Sequence, residues 1–175
     1  TGSILFLGGT LDNWKIVFKD ESNKTNKLNS RSDENGFTGC ISFYDISLQN
    51  ISIETSDSQC EDAVNFVRSE GTIKNLLIRN SLFDSLDADF SSLKFQSIEI
   101  RNSKNDCIDL SYGSYFLNNI KAEFCGDKAI SIGEASDVKI KNLFISNSNI
   151  GLAVKDFGTA DIKNAEIYST KSCVE

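Results

Sequence analysis

Leu48-Gln-Asn-Ile-Ser-Ile53, Ile73-Lys-Asn-Leu-Leu-Ile78, Phe95-Gln-Ser-Ile-Glu-Ile100, Leu117-Asn-Asn-Ile-Lys-Ala122, Ile140-Lys-Asn-Leu-Phe-Ile145 and Ile162-Lys-Asn-Ala-Glu-Ile167 are six copies of one short pattern. The third position of each copy falls at residues 50, 75, 97, 119, 142 and 164, so the steps are 25, 22, 22, 23 and 22. A step in the low twenties that carries β-branched alternation and no helical period predicts a parallel β-solenoid.

Working outward from the repeat, each copy is flanked by pairs of alternating apolar residues. One pair precedes the Asn position, as in Leu93/Phe95 and Val138/Ile140, and one follows it, as in Leu76/Ile78 and Leu143/Ile145. A third lies farther on, at Val64/Phe66, Ala88/Phe90, Ile108/Leu110, Ile130/Ile132 and Leu152/Val154. Three pairs per repeat imply three strands per coil, with alternate side chains entering one shared core. The expected fold is all-β, a single-stranded right-handed parallel β-helix of about seven coils of about 22 residues. An earlier coil is visible in Leu11-Asp-Asn-Trp-Lys-Ile16, with Ile41/Phe43 as its third strand. The polar stretch between them, residues 21–36, has the composition of an inserted loop that projects from the coil.

The 175 residues make one domain, 1–175, and the start at Thr1 in mid-pattern reads as a segment of a longer protein. Strand edges at both ends of such a solenoid call for flanking domains or self-association. A formal charge of -7 and a pI near 4.7 argue against nucleic acid, which needs a basic stripe. No apolar run is long enough for membrane insertion. The five cysteines are odd in number and lack CxxC spacing, so buried thiols are expected in place of a disulfide framework or a zinc site.

The bend residues Asn75, Asn119, Asn142 and Asn164 fall in one column, with Asn50 above and Ser97 as the break. Their amides can bond to one another and to turn backbone. Of the two glycosylation sequons, Asn23 sits in the loop and can accept glycan, whereas Asn50 sits in the ladder.

Beside the third strand the sequence departs from scaffold chemistry. The outward residues are expected to be Ser42, Asn65, Asp89, Asp109, Ser131 and Ala153, which makes Asp89 and Asp109 neighbours. Asp62, Asp87 and Asp106 flank them on one side, Lys128 and Lys155 lie below, and Glu134 and Asp156 stand past the strand ends. Two carboxylates about 5 Å apart repel by roughly 3 kcal/mol at an effective dielectric near 20. Relief comes from one of three sources: calcium held by Asp87, Asp89, Asp106 and Asp109, a proton shared by an acid/base pair, or neutralisation by Lys128. Arg79 and Arg101 stack elsewhere, on the second strand, as a solvated ladder with Glu54 and Glu123.

Glu61-Asp-Ala-Val-Asn65, Ser85-Leu-Asp-Ala-Asp-Phe-Ser91, Asn105-Asp-Cys-Ile-Asp-Leu-Ser111, Gly126-Asp-Lys-Ala-Ile-Ser-Ile-Gly-Glu-Ala-Ser136 and Gly151-Leu-Ala-Val-Lys-Asp156 form an ordered series of coil motifs. The series resembles right-handed parallel β-helix domains of bacterial extracellular proteins, a group sometimes joined to a spore-coat-protein-H-like kinase module. The resemblance spans about residues 36 to 170. It implies a pectate-lyase-like fold, an extracellular or cell-surface location and a carbohydrate-facing surface, without the activity of the lyases. Gly-His-Gly, which polygalacturonase-like hydrolases use, is absent because the chain has no His.

The leading expectation is a non-catalytic module that binds polysaccharide or cell-envelope glycan along the third-strand face. Asn65, Asp87, Asp89, Asp106, Asp109, Ser111, Tyr112, Ser131, Glu134 and Lys155 are its candidate binding residues. It requires no cofactor, although calcium is a candidate. One alternative is a polysaccharide lyase or hydrolase whose carboxyl pair is Asp89 and Asp109, with Lys128 or Lys155 adjusting protonation. Another is a structural spacer or adhesion stalk.

Overall fold

A computed structural model describes residues 2–20 and 31–175. It is all-β, a parallel β-solenoid with a step of about 22 residues and about six turns, one fewer than the repeat count suggests. The strands are β1 (Ile4–Leu7), β2 (Thr10–Asp12), β3 (Lys15–Lys19), β4 (Gly39–Tyr44), β5 (Ser47–Ser56), β6 (Asp62–Val67) and β7 (Glu70–Ser81). They continue as β8 (Asp84–Asp89), β9 (Ser92–Ser103), β10 (Ile108–Ser111), β11 (Ser114–Ile132), β12 (Asp137–Val154), β13 (Thr159–Tyr168) and β14 (Ser172–Val174). All strand pairing is parallel between successive turns, for example β7 with β9, β9 with β11, β11 with β12 and β12 with β13.

Three faces wrap one core. Tyr115 and Leu117, then Ile120 and Ala122, then Ile130 and Ile132 supply the buried pairs of a single turn, all within the bent strand β11. Between the second and third faces the chain turns through residues with left-handed backbone: Asp57, Asn80, Asn102, Phe124, Asn147 and Ser169. Between the third face and the next turn it does so again at Asp45, Arg68, Phe90, Tyr112 and Ala135. Asn and Asp, which supply five of these eleven residues, tolerate that conformation because a short polar side chain can bond locally, whereas Arg68, Phe90, Tyr112 and Phe124 hold it as bulky residues. At the first of these corners Asn80 donates to Asp57 and Asn102 to Asn80, at 2.9 and 3.0 Å.

The asparagine ladder forms as expected from Asn119 to Asn164, with Asn142 donating to Asn119 at 2.9 Å and Asn164 to Asn142 at 3.0 Å. Asn50 is not part of it. Strand β5 carries an irregularity after Leu48, so that Ser52 stands opposite Asn75 and Ile53 opposite Leu76. Asn50 itself is exposed and left-handed. The long first step of 25 residues arises because the counterpart of Asn75 is Ser52, 23 residues earlier, and not Asn50.

The core is a column of stacked like residues. Phe6, Phe43 and Phe66 lie face to face at 5.0 and 4.7 Å, and Phe95 meets Phe66 edge-on at 6.0 Å. The column narrows at Ala88, and Tyr115 uses the room: its buried hydroxyl is shared between the carbonyl oxygens of Ala88 and Ser111, 2.8 and 2.9 Å away. Burial pushes the Tyr115 phenol well above its ordinary range. A Cβ on Gly113 would come within 2.4 Å of both the Ser91 carbonyl and this hydroxyl, so only glycine fits there.

Two expectations fail in instructive ways. Phe90 does not enter the core; it is 54% exposed, and the buried pair of its turn is Leu86/Ala88. The cysteines are not all thiols: Cys40 pairs with Cys60 and Cys107 with Cys125, leaving Cys173 free. In the strand registers Cys40 stacks on Ala63, and Ala63, Ser85 and Cys107 follow one another, so both bridges tie the same corner three turns apart. Disulfides mark an oxidising setting. No helix is long and apolar enough to cross a membrane among the described residues.

Residues 21–30 of the expected insertion, with the Asn23 sequon, lie outside the described residues. Its last part is described: Asp33 accepts the backbone N–H groups of Asn35 and Phe37, and Arg31 pairs with Glu61 at 2.6 Å.

Candidate functional site

The third face is formed by β4, β6, β8, β10 and the ends of β11 and β12. Its central outward column runs Ser42, Asn65, Asp87, Asp109, Ser131, Ala153. The expected neighbour of Asp109 was Asp89; the register shows Asp87. The cause is the choice of buried pair: once Leu86 and Ala88 face inward, Asp87 between them must face out. Asp89 is displaced to the next column, opposite Ser111 on one side and Val67 on the other.

Successive members of a column lie about 4.8 Å apart. The Asn65 amide donates to Asp87 at 2.7 Å, and Ser111 donates to Glu134 at 2.6 Å. Asn65 and Ser131 are buried although they point away from the core, so the column is the floor of a trough. The trough is rimmed by two aromatic rings: Phe90 and Tyr112, both left-handed, stack at 4.7 Å with planes 4° apart. At the lower end the aliphatic stem of Lys155 lies across Gly133.

A separate column occupies the corner leading into this face. Asp84 accepts the Asn105 amide and the Asp106 backbone N–H, both at 2.7 Å. Asp106 in turn accepts the Lys128 backbone N–H at 2.8 Å and its ammonium at 3.4 Å, and the same ammonium contacts Asp127. These acids are rungs between turns. Asp106 therefore stands apart from Asp109, and Lys128 is committed to Asp106 and Asp127, not to the trough. Asp84, which spacing did not single out, is a member of this column, opposite Asp62.

The electrostatics follow from burial first. Desolvation, reinforced by Asp62, Asp89 and Asp109, raises the Asp87 carboxyl well above the usual carboxylate range against the pull of the Asn65 amide. Asp89 is pushed up to about 6 by burial, then by Asp109 and Glu134. Asp62, 3% exposed, reaches about 7 through burial, which the Thr38 hydroxyl opposes and the Asp84 and Glu61 charges reinforce. Burial likewise lifts Asp84 to about 6 against its two donors. Asp106 is raised by burial, with Lys128 pulling the other way. Burial works against the Lys128 ammonium, but Asp127 and Asp106 outweigh it and raise its pKa.

Among the described residues, none of Asp87, Asp89, Asp109 and Glu134 forms an ion pair with a lysine or arginine. Nor does any group of three or more His, Cys, Asp or Glu side chains there gather closely enough to hold a metal ion. The four aspartates considered for calcium are spread over two columns and a corner. One polar atom in the trough has no partner at all: the Ser131 hydroxyl, in a residue with 0% exposure, next to Asp109 on the floor.

The second face contrasts with this. A broad depression there is lined by Ser97, Asn119, Asn142, Asn164, Lys121 and Glu166, and its amides are paired with one another. Arg79 reaches Glu54 at 4.0 Å and Lys121 reaches Glu123 at 2.8 Å, so these two acids of the second face have cationic partners at the surface.

No protein-family model, curated protein or solved structure matches the chain. Its class is defined by its own geometry: a parallel β-solenoid with an acidic, aromatic-rimmed trough along one face.

Proposed function

We propose that the chain is a non-catalytic extracellular module that binds glycan or another cell-envelope polymer along the third-face trough. The observation that carries this reading is the row Asp87, Asp89, Asp109 and Glu134. It has no cationic partner among the described residues and is bordered by the Phe90–Tyr112 pair. Carboxylates accept hydrogen bonds from hydroxyls and aromatic rings pack on sugar faces, which is the usual composition of a saccharide site. The two disulfides fit an extracellular setting. Calorimetric titration with a panel of neutral, basic and acidic oligosaccharides, and with calcium alone, tests the proposal. Heat with at least one saccharide, abolished by Asp109→Asn, is expected; flat traces for every saccharide overturn it.

A second reading is favoured by the raised carboxyls. A carboxylic acid with a pKa of about 6, such as Asp89, suits proton donation to a leaving oxygen, with Asp87 and Asp109 beside it. Release of reducing ends or unsaturated sugars from a polysaccharide, lost in Asp109→Asn, is its signature. Intact polymer after prolonged incubation removes it.

A further inference from the structure

We infer that the polymer recognised by the trough is a saccharide bearing free amino groups, whose ammonium groups seat on the carboxylate row and whose ring hydroxyls bond to the floor. The inference rests on the glycan-binding reading above and names the class of glycan.

Three observations support it independently. First, charge: Asp87 and Asp109 are adjacent on the floor, Asp89 and Glu134 stand beside them, Lys128 is already held by Asp106 and Asp127, and Lys155 at the lower end forms an ion pair with none of the four among the described residues. A uronate or phosphate-bearing polymer would add like charge to this row. An ammonium supplies the donor and the charge that the acids lack, because a carboxylate accepts hydrogen bonds and cannot donate them. Second, the Ser131 hydroxyl is buried, unpartnered and, lying between the inward Ile130 and Ile132, directed to the outer side beside Asp109. A buried hydroxyl left unpaired is a standing cost to the fold, and a ligand hydroxyl or amine relieves it. Third, the rim: Phe90 and Tyr112 expose 54% and 50% of their surface and stack on each other, a platform for a sugar ring and for an adjacent cation.

The carboxylates follow the axis of the solenoid and do not converge on one point. A row of anions matches a repeating row of cations better than a single chelated ion. The amide and hydroxyls of Asn65, Ser111 and Ser131, interleaved with the acids, match the hydroxyls of a saccharide. A lysine-rich peptide offers the same ammonium groups without them.

The test is calorimetry on the whole chain at about pH 7, where Asp89 is ionised and sugar amines still carry protons, in low salt. The probes are a glucosamine tetramer, its fully N-acetylated form, a galacturonate tetramer and tetralysine. The glucosamine tetramer is expected to bind at least about tenfold more tightly than each of the others. Asp109→Asn and Asp87→Asn should each weaken it by about tenfold or more. Ser131→Ala should weaken it several-fold without lowering the melting temperature, a combination that a merely structural serine would not give. Equal or tighter binding of the N-acetylated or uronate tetramer overturns the amine preference and leaves the trough as a glycan site. Equal binding of tetralysine overturns the saccharide assignment. If no saccharide binds, both this inference and the reading beneath it fall.

Discussion

On the face carrying the asparagine ladder, Asn142 donates to Asn119 and accepts from Asn164, whereas on the third face Asp87 and Asp109 occupy equivalent neighbouring positions and, as carboxylates, neither can donate to the other. Both arrangements come from the same step of about 22 residues, which stacks like on like. An amide carries a donor and an acceptor, so a column of amides completes itself. A carboxylate carries acceptors only, so a column of acids is left open to a proton, a cation or a ligand. The solenoid makes one of its walls self-sufficient and the other dependent on what surrounds it.

The largest expected effect is on the acids themselves. Burial, with help from Asp84 and Glu61, raises Asp62 to about 7, and Asp84 and Asp89 to about 6, above their values in the unfolded chain. Native protein therefore holds protons that the unfolded chain releases. The stabilisation from these groups is complete below about pH 4 and is lost as the pH rises through about 6 to 7. Melting temperatures should be higher near pH 5 than at pH 7.5, the reverse of ordinary acid denaturation. At pH 7.5 Asp62→Asn should stabilise the fold by on the order of 2 to 4 kcal/mol, a rise of about 5 °C or more, and flatten the pH dependence. A melting temperature that climbs steadily from pH 5 to 7.5 in the unmodified chain would contradict the electrostatic account.

Next in size is the reverse exchange. Asn142→Asp plants an acid in the amide column, removes the donor to Asn119 and keeps only the acceptor for Asn164. Denaturant unfolding should report a loss of about 1 to 2 kcal/mol at neutral pH. Recovery of most of that loss in acid, as the new carboxyl protonates, would sharpen the contrast between the faces; an unchanged midpoint would erase it.

The smallest effect is at the rim. Tyr112 holds a left-handed backbone, which costs a bulky residue about 1 kcal/mol or more, and its stack on Phe90 returns about 0.5 to 1.5 kcal/mol. Tyr112→Asn gives up both, so thermal unfolding should move by no more than about 2 °C in either direction. A fall of about 10 °C would mean that the ring is a structural support and not a free surface.

The architecture was legible because the six copies state it directly, and Ile41, Phe43, Leu110 and Ile132 are buried as the alternation requires. The acidic composition of the third face was legible, and its register was not: Asp109 stands beside Asp87 and not Asp89. Ala88 sits between two candidate partners, Leu86 and Phe90, and hydrophobicity favours Phe90. The decisive signal was the step itself: residues 65, 87, 109, 131 and 153 are each 22 apart, as are 68, 90 and 112, which assigns Asp87 to the floor and Phe90 to the corner. The disulfides had a weaker signal, two cysteine pairs separated by 20 and 18 residues. The corner role of Asp84 depends on the Asp106 backbone N–H one turn away, which no pattern of side chains records.

Those two bridges also bear on mechanics. Each closes a ring shorter than one turn, 20 residues for Cys40–Cys60 and 18 for Cys107–Cys125. A solenoid pulled from its ends peels turn by turn, but a closed ring cannot lengthen, and each shields about 60 to 70 Å of chain from extension. Under load the oxidised molecule is a shorter tether than its reduced form by about 130 Å, a difference that single-molecule stretching with and without reductant would read directly.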